Sequence, residues 1–124
     1  MEPPLKRLIE KAKTDKRILA VGIFGSFARG EKDYSDIDVC IFLVPGKYSK
    51  IELSRKKLEY VCDELDAQVF QQLPLYIRDR ILKEGKILYY KDEDALYDLM
   101  YRAMKEIGDF MPKYESYLEG VVNA

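Results

Sequence analysis

With 124 residues, 21 basic against 22 acidic side chains and a formal net charge of -1, the chain has the length of one domain and lacks the basic excess of a nucleic-acid surface. It contains no histidine, which excludes an imidazole base, metal ligand or phosphate carrier and leaves acid–base work to carboxylates. The longest unbroken apolar run, Val39 to Val44, is far too short to cross a bilayer and no signal peptide precedes it, so a cytoplasmic location is expected.

Pro4 suits the first turn of an N-terminal helix reaching Thr14, with Leu5, Leu8, Ile9 and Ala12 on one face. Ile18 to Phe24 is a short apolar run ending at Gly25 and reads as a strand buried on both faces. Gly25 permits positive φ and the close approach of a ligand. Ser26 adds a hydroxyl and a backbone N–H at the start of a short helix expected over Phe27 to Glu31, and unpaired N–H groups at such a start attract phosphate. The chain then turns through Gly30 to Ser35 into a second strand, Asp36 to Val44. Side chains two apart share a strand face, so Asp36 and Asp38 point toward the phosphate turn while Ile37 and Val39 point away.

Pro45-Gly46 is a turn, followed by a helix over Ser49 to Glu64 expected to bury Leu58, Val61, Cys62 and Leu65. Asp66 opens the next strand-like run, to Phe70. A helix from Pro74 to Glu84 closed by Gly85, a strand from Ile87 to Tyr90 and a last helix from near Asp92 complete the frame. Leu96, Leu99, Ala103, Ile107 and Phe110 form the apolar stripe of that helix until Pro112 kinks or ends it. The two cysteines, Cys40 in the second strand and Cys62 in a helix, lack the close pairing of a zinc site and read as core thiols in a reducing compartment. Basic clusters at Lys6 to Arg17 and Lys47 to Lys57 read as solvated helix faces. Tyr97, Met100, Tyr101, Met104, Met111, Tyr114 and Tyr117 either mark a contact surface or, as the favoured reading, pack the last helix.

Gly25-Ser26, Asp36, Asp38 and Asp66 together describe a site for a nucleoside triphosphate and its metal ions. Three ionised carboxylates about 5 Å apart repel by roughly 3 kcal/mol per pair at an effective dielectric near 20, so the cluster makes sense only with cations present. Singly, each element has a plainer reading: a Gly-Ser turn is common, Asp-x-Asp is often a solvated strand edge, and Asp66 could cap a helix. Their order and spacing are what carry the reading.

Gly25-Ser26, Ala28-Arg29-Gly30, Ser35-Asp36-Ile37-Asp38 and Asp66 resemble the signature of the minimal nucleotidyltransferases, the MNT branch of the DNA polymerase β superfamily. The resemblance continues through Leu73-Pro74-Leu75, the Glu84-Gly85 stop and the apolar C-terminal helix, and so covers nearly the whole chain as one minimal domain, residues 1–124. In one departure, nine residues separate Ser26 from Asp36 where the family more often has ten. The resemblance implies an α/β (α+β) polymerase-β-like fold, a small mixed sheet flanked by helices. It implies transfer of AMP from ATP to a hydroxyl, with Asp36, Asp38 and Asp66 as catalytic carboxylates and metal ligands for two Mg²⁺, or alternatively Mn²⁺, ions. The resemblance implies Gly25, Ser26, Arg29, Gly30 and Ser35 as the nucleotide-binding set. Asp66 is the expected acceptor of the hydroxyl proton. Arg29 either contacts phosphate or pairs with Glu31 or Asp33, and Ser35 steadies the carboxylate strand through a local hydrogen bond. Without room for an acceptor-binding domain, the chain needs a partner to present the hydroxyl. The resemblance names that partner class as HEPN-type RNase toxins, some of which are silenced by AMP placed on a tyrosine. The alternative is an antitoxin that neutralises a HEPN partner by complex formation alone; transfer to a small molecule is disfavoured. No direct nucleic-acid or membrane contact is expected, and self-association is left open.

Overall fold

The computed structural model describes the backbone of residues 1–31 and 36–123, and the side chains among them as far as residue 109. Helix α1 (Pro3–Thr14) opens on prolines, whose missing N–H groups would have no intrahelical partner there, and it buries Leu5, Leu8, Ile9 and Ala12 as its periodicity predicts. Strand β1 (Ile18–Phe24) runs directly into α2 (Gly25–Ala28). Then follow β2 (Ile37–Leu43), α3 (Lys50–Tyr60), β3 (Leu65–Val69), a 3₁₀ turn at Phe70–Gln72, α4 (Leu75–Glu84), β4 (Lys86–Tyr90) and α5 (Glu93–Asn123).

The strands form one mixed sheet in the order β3-β2-β1-β4, with β1 antiparallel to both neighbours and β3 parallel to β2. Both faces are covered, which explains why the two central strands are apolar except for Asp38 near the start of β2. On one face Leu5, Leu8, Ala12 and Tyr60 of α1 and α3 pack on Val21, Val39, Ile41 and Val69. On the other, Ile81, Leu96 and Ala103 of α4 and α5 join Phe70 against Ala20, Cys40 and Phe42, where the Phe42 and Phe70 rings stack with centroids 4.7 Å apart. The expected small mixed sheet between helices is therefore the observed fold.

Several sequence expectations are corrected. The turn helix spans Gly25–Ala28 instead of Phe27 to Glu31, because the chain turns at Gly25 itself and Arg29 N–H closes it on the Gly25 carbonyl at 3.1 Å. Helix α3 stops at Tyr60, and the residues expected to be buried are not: Leu58 is 72% exposed, Val61 44%, and Cys62 is exposed in a tight Cys62–Leu65 bridge. Leu65 is buried, but as part of β3. The inward face is Leu53, Lys56 and Tyr60. Lys56 departs from the solvated role given to its basic cluster: its ammonium meets Asp15 at 2.9 Å and Glu59 at 2.8 Å, while the Tyr60 hydroxyl donates to Asp15 at 2.8 Å. Long side chains with satisfied tips pack through their apolar stems, so the buried stripe is not the most hydrophobic one.

Of the two cysteines, only Cys40 is a core thiol. Helix α5 continues through Pro112 to Asn123. An interior proline costs about 3 kcal/mol, and here good helix formers such as Lys113, Glu115, Leu118 and Glu119 follow it. Leu96, Ala103 and Ile107 are buried along its stripe; the side chains of Phe110, Met111, Tyr114 and Tyr117 lie outside the described residues. Packing accounts for Met100 but not for Tyr97, Tyr101 and Met104, which are 61%, 60% and 53% exposed.

Candidate functional site

The antiparallel register of β1 and β2 sets Phe24 opposite Asp38, so the turn after β1 begins beside that carboxylate. Gly25 has φ +73°, a left-handed conformation that side chains disfavour, and a Cβ there would lie 2.3 Å from Asp38 Oδ2. Glycine is thus required twice, by backbone conformation and by the packing of Asp38 against it. The turn is held by backbone bonds from Gly30 N–H to the Phe27 carbonyl at 3.1 Å and from Glu31 N–H to the Ser26 carbonyl at 3.0 Å. Gly30, at φ +79°, has open space where a Cβ would stand, so only its conformation calls for glycine.

The parallel register of β2 and β3 pairs Asp38 with Asp66. Asp36 lies one residue ahead of β2 and is exposed, as is Asp66, whereas Asp38 is half-buried. Burial raises the Asp38 pKa above the ordinary carboxylate value, the charges of Asp66 and Asp36 raise it further, and a hydrogen bond with Asp66 favours the protonated form; Arg29 opposes the rise. Asp66 Oδ1 accepts from Gln68 Nε2 at 3.2 Å. Among the described residues no three acidic or thiol side chains form a group that could hold a metal ion. The excess negative charge around Asp38 is the electrostatic condition that a bound cation relieves.

Arg29 pairs with acids, as one of its two expected roles had it: Nε meets Glu31 Oε1 at 3.3 Å and Nη1 meets Glu84 Oε2 at 3.3 Å. Asp33, the other acid considered, and Ser35 lie outside the described residues. In the sequence Glu84-Gly85 signals only a helix stop, and no local pattern there points to Arg29. The juxtaposition of Arg29 and Glu84 depends on packing between elements 55 residues apart in sequence.

A glycine turn thus stands against an aspartate that is paired in register with a second one on the adjoining strand. Residues 6–94, which contain the turn and all three aspartates, match the family model for polymerase beta nucleotidyltransferases. Over 90 residues the chain is 30% identical to the candidate protein adenylyltransferase MJ1547 of Methanocaldococcus jannaschii, covering 72% of this chain and 69% of that protein. The fold recurs in a solved toxin-antitoxin structure with AMP-PNP (TM-score 0.72, 13% identity, 96% of each chain). It recurs also in the structure of the tri-AMPylated Shewanella oneidensis HEPN toxin in complex with MNT antitoxin (TM-score 0.67, 13% identity, 95% of this chain and 92% of that one). The chain belongs to the polymerase beta nucleotidyltransferase family and is a nucleotidyltransferase. Among the described residues no helix is long and apolar enough to cross a membrane.

Proposed function

We propose that the chain transfers AMP from ATP to a hydroxyl on a partner protein, a tyrosine of a HEPN-type RNase toxin, and thereby acts as that toxin's antitoxin. The observation that carries the nucleotide half is the contact between turn and acid cluster: Gly25 lies against Asp38, and Asp38 is paired in register with Asp66. Support for a protein acceptor comes from the name of MJ1547, and support for the HEPN partner from the toxin-antitoxin complexes that share the fold. In this reading residues 1–124 are one minimal domain, and the acceptor hydroxyl arrives on the partner.

The proposed roles follow from position. The turn at Gly25 and Ser26 receives the triphosphate through backbone N–H groups and the Ser26 hydroxyl, with Gly30 keeping the following backbone open. Ser35 is assigned from the sequence to steadying the carboxylate strand. Asp36, Asp38 and Asp66 would hold divalent cations, Mg²⁺ or Mn²⁺, and bound cations supply charge neutralisation for the triphosphate. Asp66, exposed on the edge strand β3, accepts the proton of the attacking hydroxyl. The hydroxyl oxygen forms a bond to the α-phosphorus, the bond from that phosphorus to the bridging oxygen breaks, and pyrophosphate leaves.

Intact-mass spectrometry after incubation with ATP, Mg²⁺ and a HEPN partner tests this. The partner should gain AMP with the wild type and not with the D36N/D38N variant. A stable complex without any adduct would instead assign the chain to neutralisation by binding alone.

A further inference from the structure

The segment after the candidate phosphate turn is anchored by an element distant in sequence. Arg29 caps α2, its N–H donating to the Gly25 carbonyl, and its guanidinium is shared between Glu31 and Glu84, each at 3.3 Å. Glu84 is the last residue of α4, and the end of that helix is docked on the sheet. A Cβ on Gly85 would stand 2.5 Å from the Ile81 carbonyl oxygen and 3.2 Å from that of Ile23, two residues before Gly25. Gly85 has φ −71°, which any residue adopts, so glycine is needed there for close approach. The Glu84 backbone is therefore held against the end of β1, and its carboxylate reaches the guanidinium just past the turn.

We propose that Glu84 is a positioning residue for nucleotide binding: through Arg29 it holds residues 29–31, and with them the Gly25–Ala28 turn, in the orientation that receives the triphosphate. The proposal rests on the nucleotidyltransferase site described above. A purely structural role is a poor account of the pair, since Arg29 and Glu84 are 42% and 45% exposed and exposed ion pairs contribute little to global stability. The geometry instead supplies local order where a mobile turn would have to be fixed when the ligand binds.

The test measures ATP affinity by calorimetry, the KM and kcat of AMP transfer, and Tm for wild type, E84Q, E84D, R29A and R29A/E84Q. E84Q should weaken ATP binding and raise KM by about two- to fivefold, with kcat changed far less and Tm nearly constant. E84D should recover part of the loss. In the R29A background E84Q should add nothing, because Glu84 acts through Arg29. Unchanged ATP affinity in E84Q beside a wild type that binds ATP would overturn the proposal and leave the site assignment standing. So would additive effects in the double variant, or a lowered Tm at constant affinity. A wild type without affinity for ATP would remove the site reading and the proposal together.

Discussion

Replacing Asp38 with asparagine should make the metal-free protein more stable while abolishing transfer. Asp38 and Asp66 are register partners on adjacent parallel strands, which run about 4.8 Å apart. Two carboxylates about 5 Å apart repel by roughly 3 kcal/mol at an effective dielectric near 20. Asp66 is exposed, so water and salt reduce this to a net effect of about 1 kcal/mol. Asparagine keeps the shape, removes the charge and offers Asp66 an amide donor. For a domain of this size the gain corresponds to a rise in Tm of about 3–5 °C.

The sign of the pH dependence follows from the raised Asp38 pKa, caused first by burial and then by Asp66 and Asp36. The folded state binds this proton more tightly than the unfolded chain. Its destabilising effect is therefore absent below the ordinary carboxylate value and fully present above the raised one. The advantage of D38N should grow as pH rises through that window, and Mg²⁺ should stabilise the wild type more than the variant. Thermal melts in a chelator and in Mg²⁺, from acid to neutral pH, measure all of this. A D38N protein less stable than wild type at neutral pH without metal, or equally favoured at low pH, would refute the electrostatic reasoning.

Gly25→Ala should destabilise by about 1–3 kcal/mol and abolish nucleotide binding, because φ +73° and a Cβ 2.3 Å from Asp38 Oδ2 cannot both be relieved; urea unfolding and ATP titration check it. Asp15→Ala should cost about 2–3 kcal/mol in the same unfolding assay by leaving Lys56 and the Tyr60 hydroxyl without their shared acceptor. Burial pushes the Asp15 pKa up, but hydrogen bonds from Lys56, Arg17 N–H and Tyr60 outweigh it and hold the net value below the usual one. Its stabilisation is thus present above the unfolded value and lost as pH falls through the lowered one, opposite in sign to Asp38. A maleimide should label exposed Cys62 in the native protein and Cys40 only on unfolding, since burial both shields the Cys40 thiol and pushes its pKa up; equal native rates would contradict the assigned packing.

The site was legible where its chemistry is local. An apolar run ending in Gly25 located the turn, so the bounds of β1 and the left-handed glycine agree with expectation, whereas β2 begins at Ile37 and leaves Asp36 outside the strand whose alternation was to align it with Asp38. The buried stripe of α1 was equally legible, because a three- and four-residue apolar period has only one way to face a core. Helix α3 was not. Whether Lys56 and Tyr60 turn inward depends on Asp15, 41 and 45 residues away, and hydrophobicity favoured Leu58 instead.

Sequence by itself determined the order and type of the elements, which rest on preferences of near neighbours along the chain, and it carried the family signature; the bounds of α2, α3 and α5 it did not determine. Tertiary structure alone decided that Asp38 is half-buried while Asp36 and Asp66 are exposed, because that follows from the pairing of β2 with β3. It alone brought Glu84 to Arg29, since the docking of the end of α4 on β1 is a close fit between backbones that no local pattern encodes.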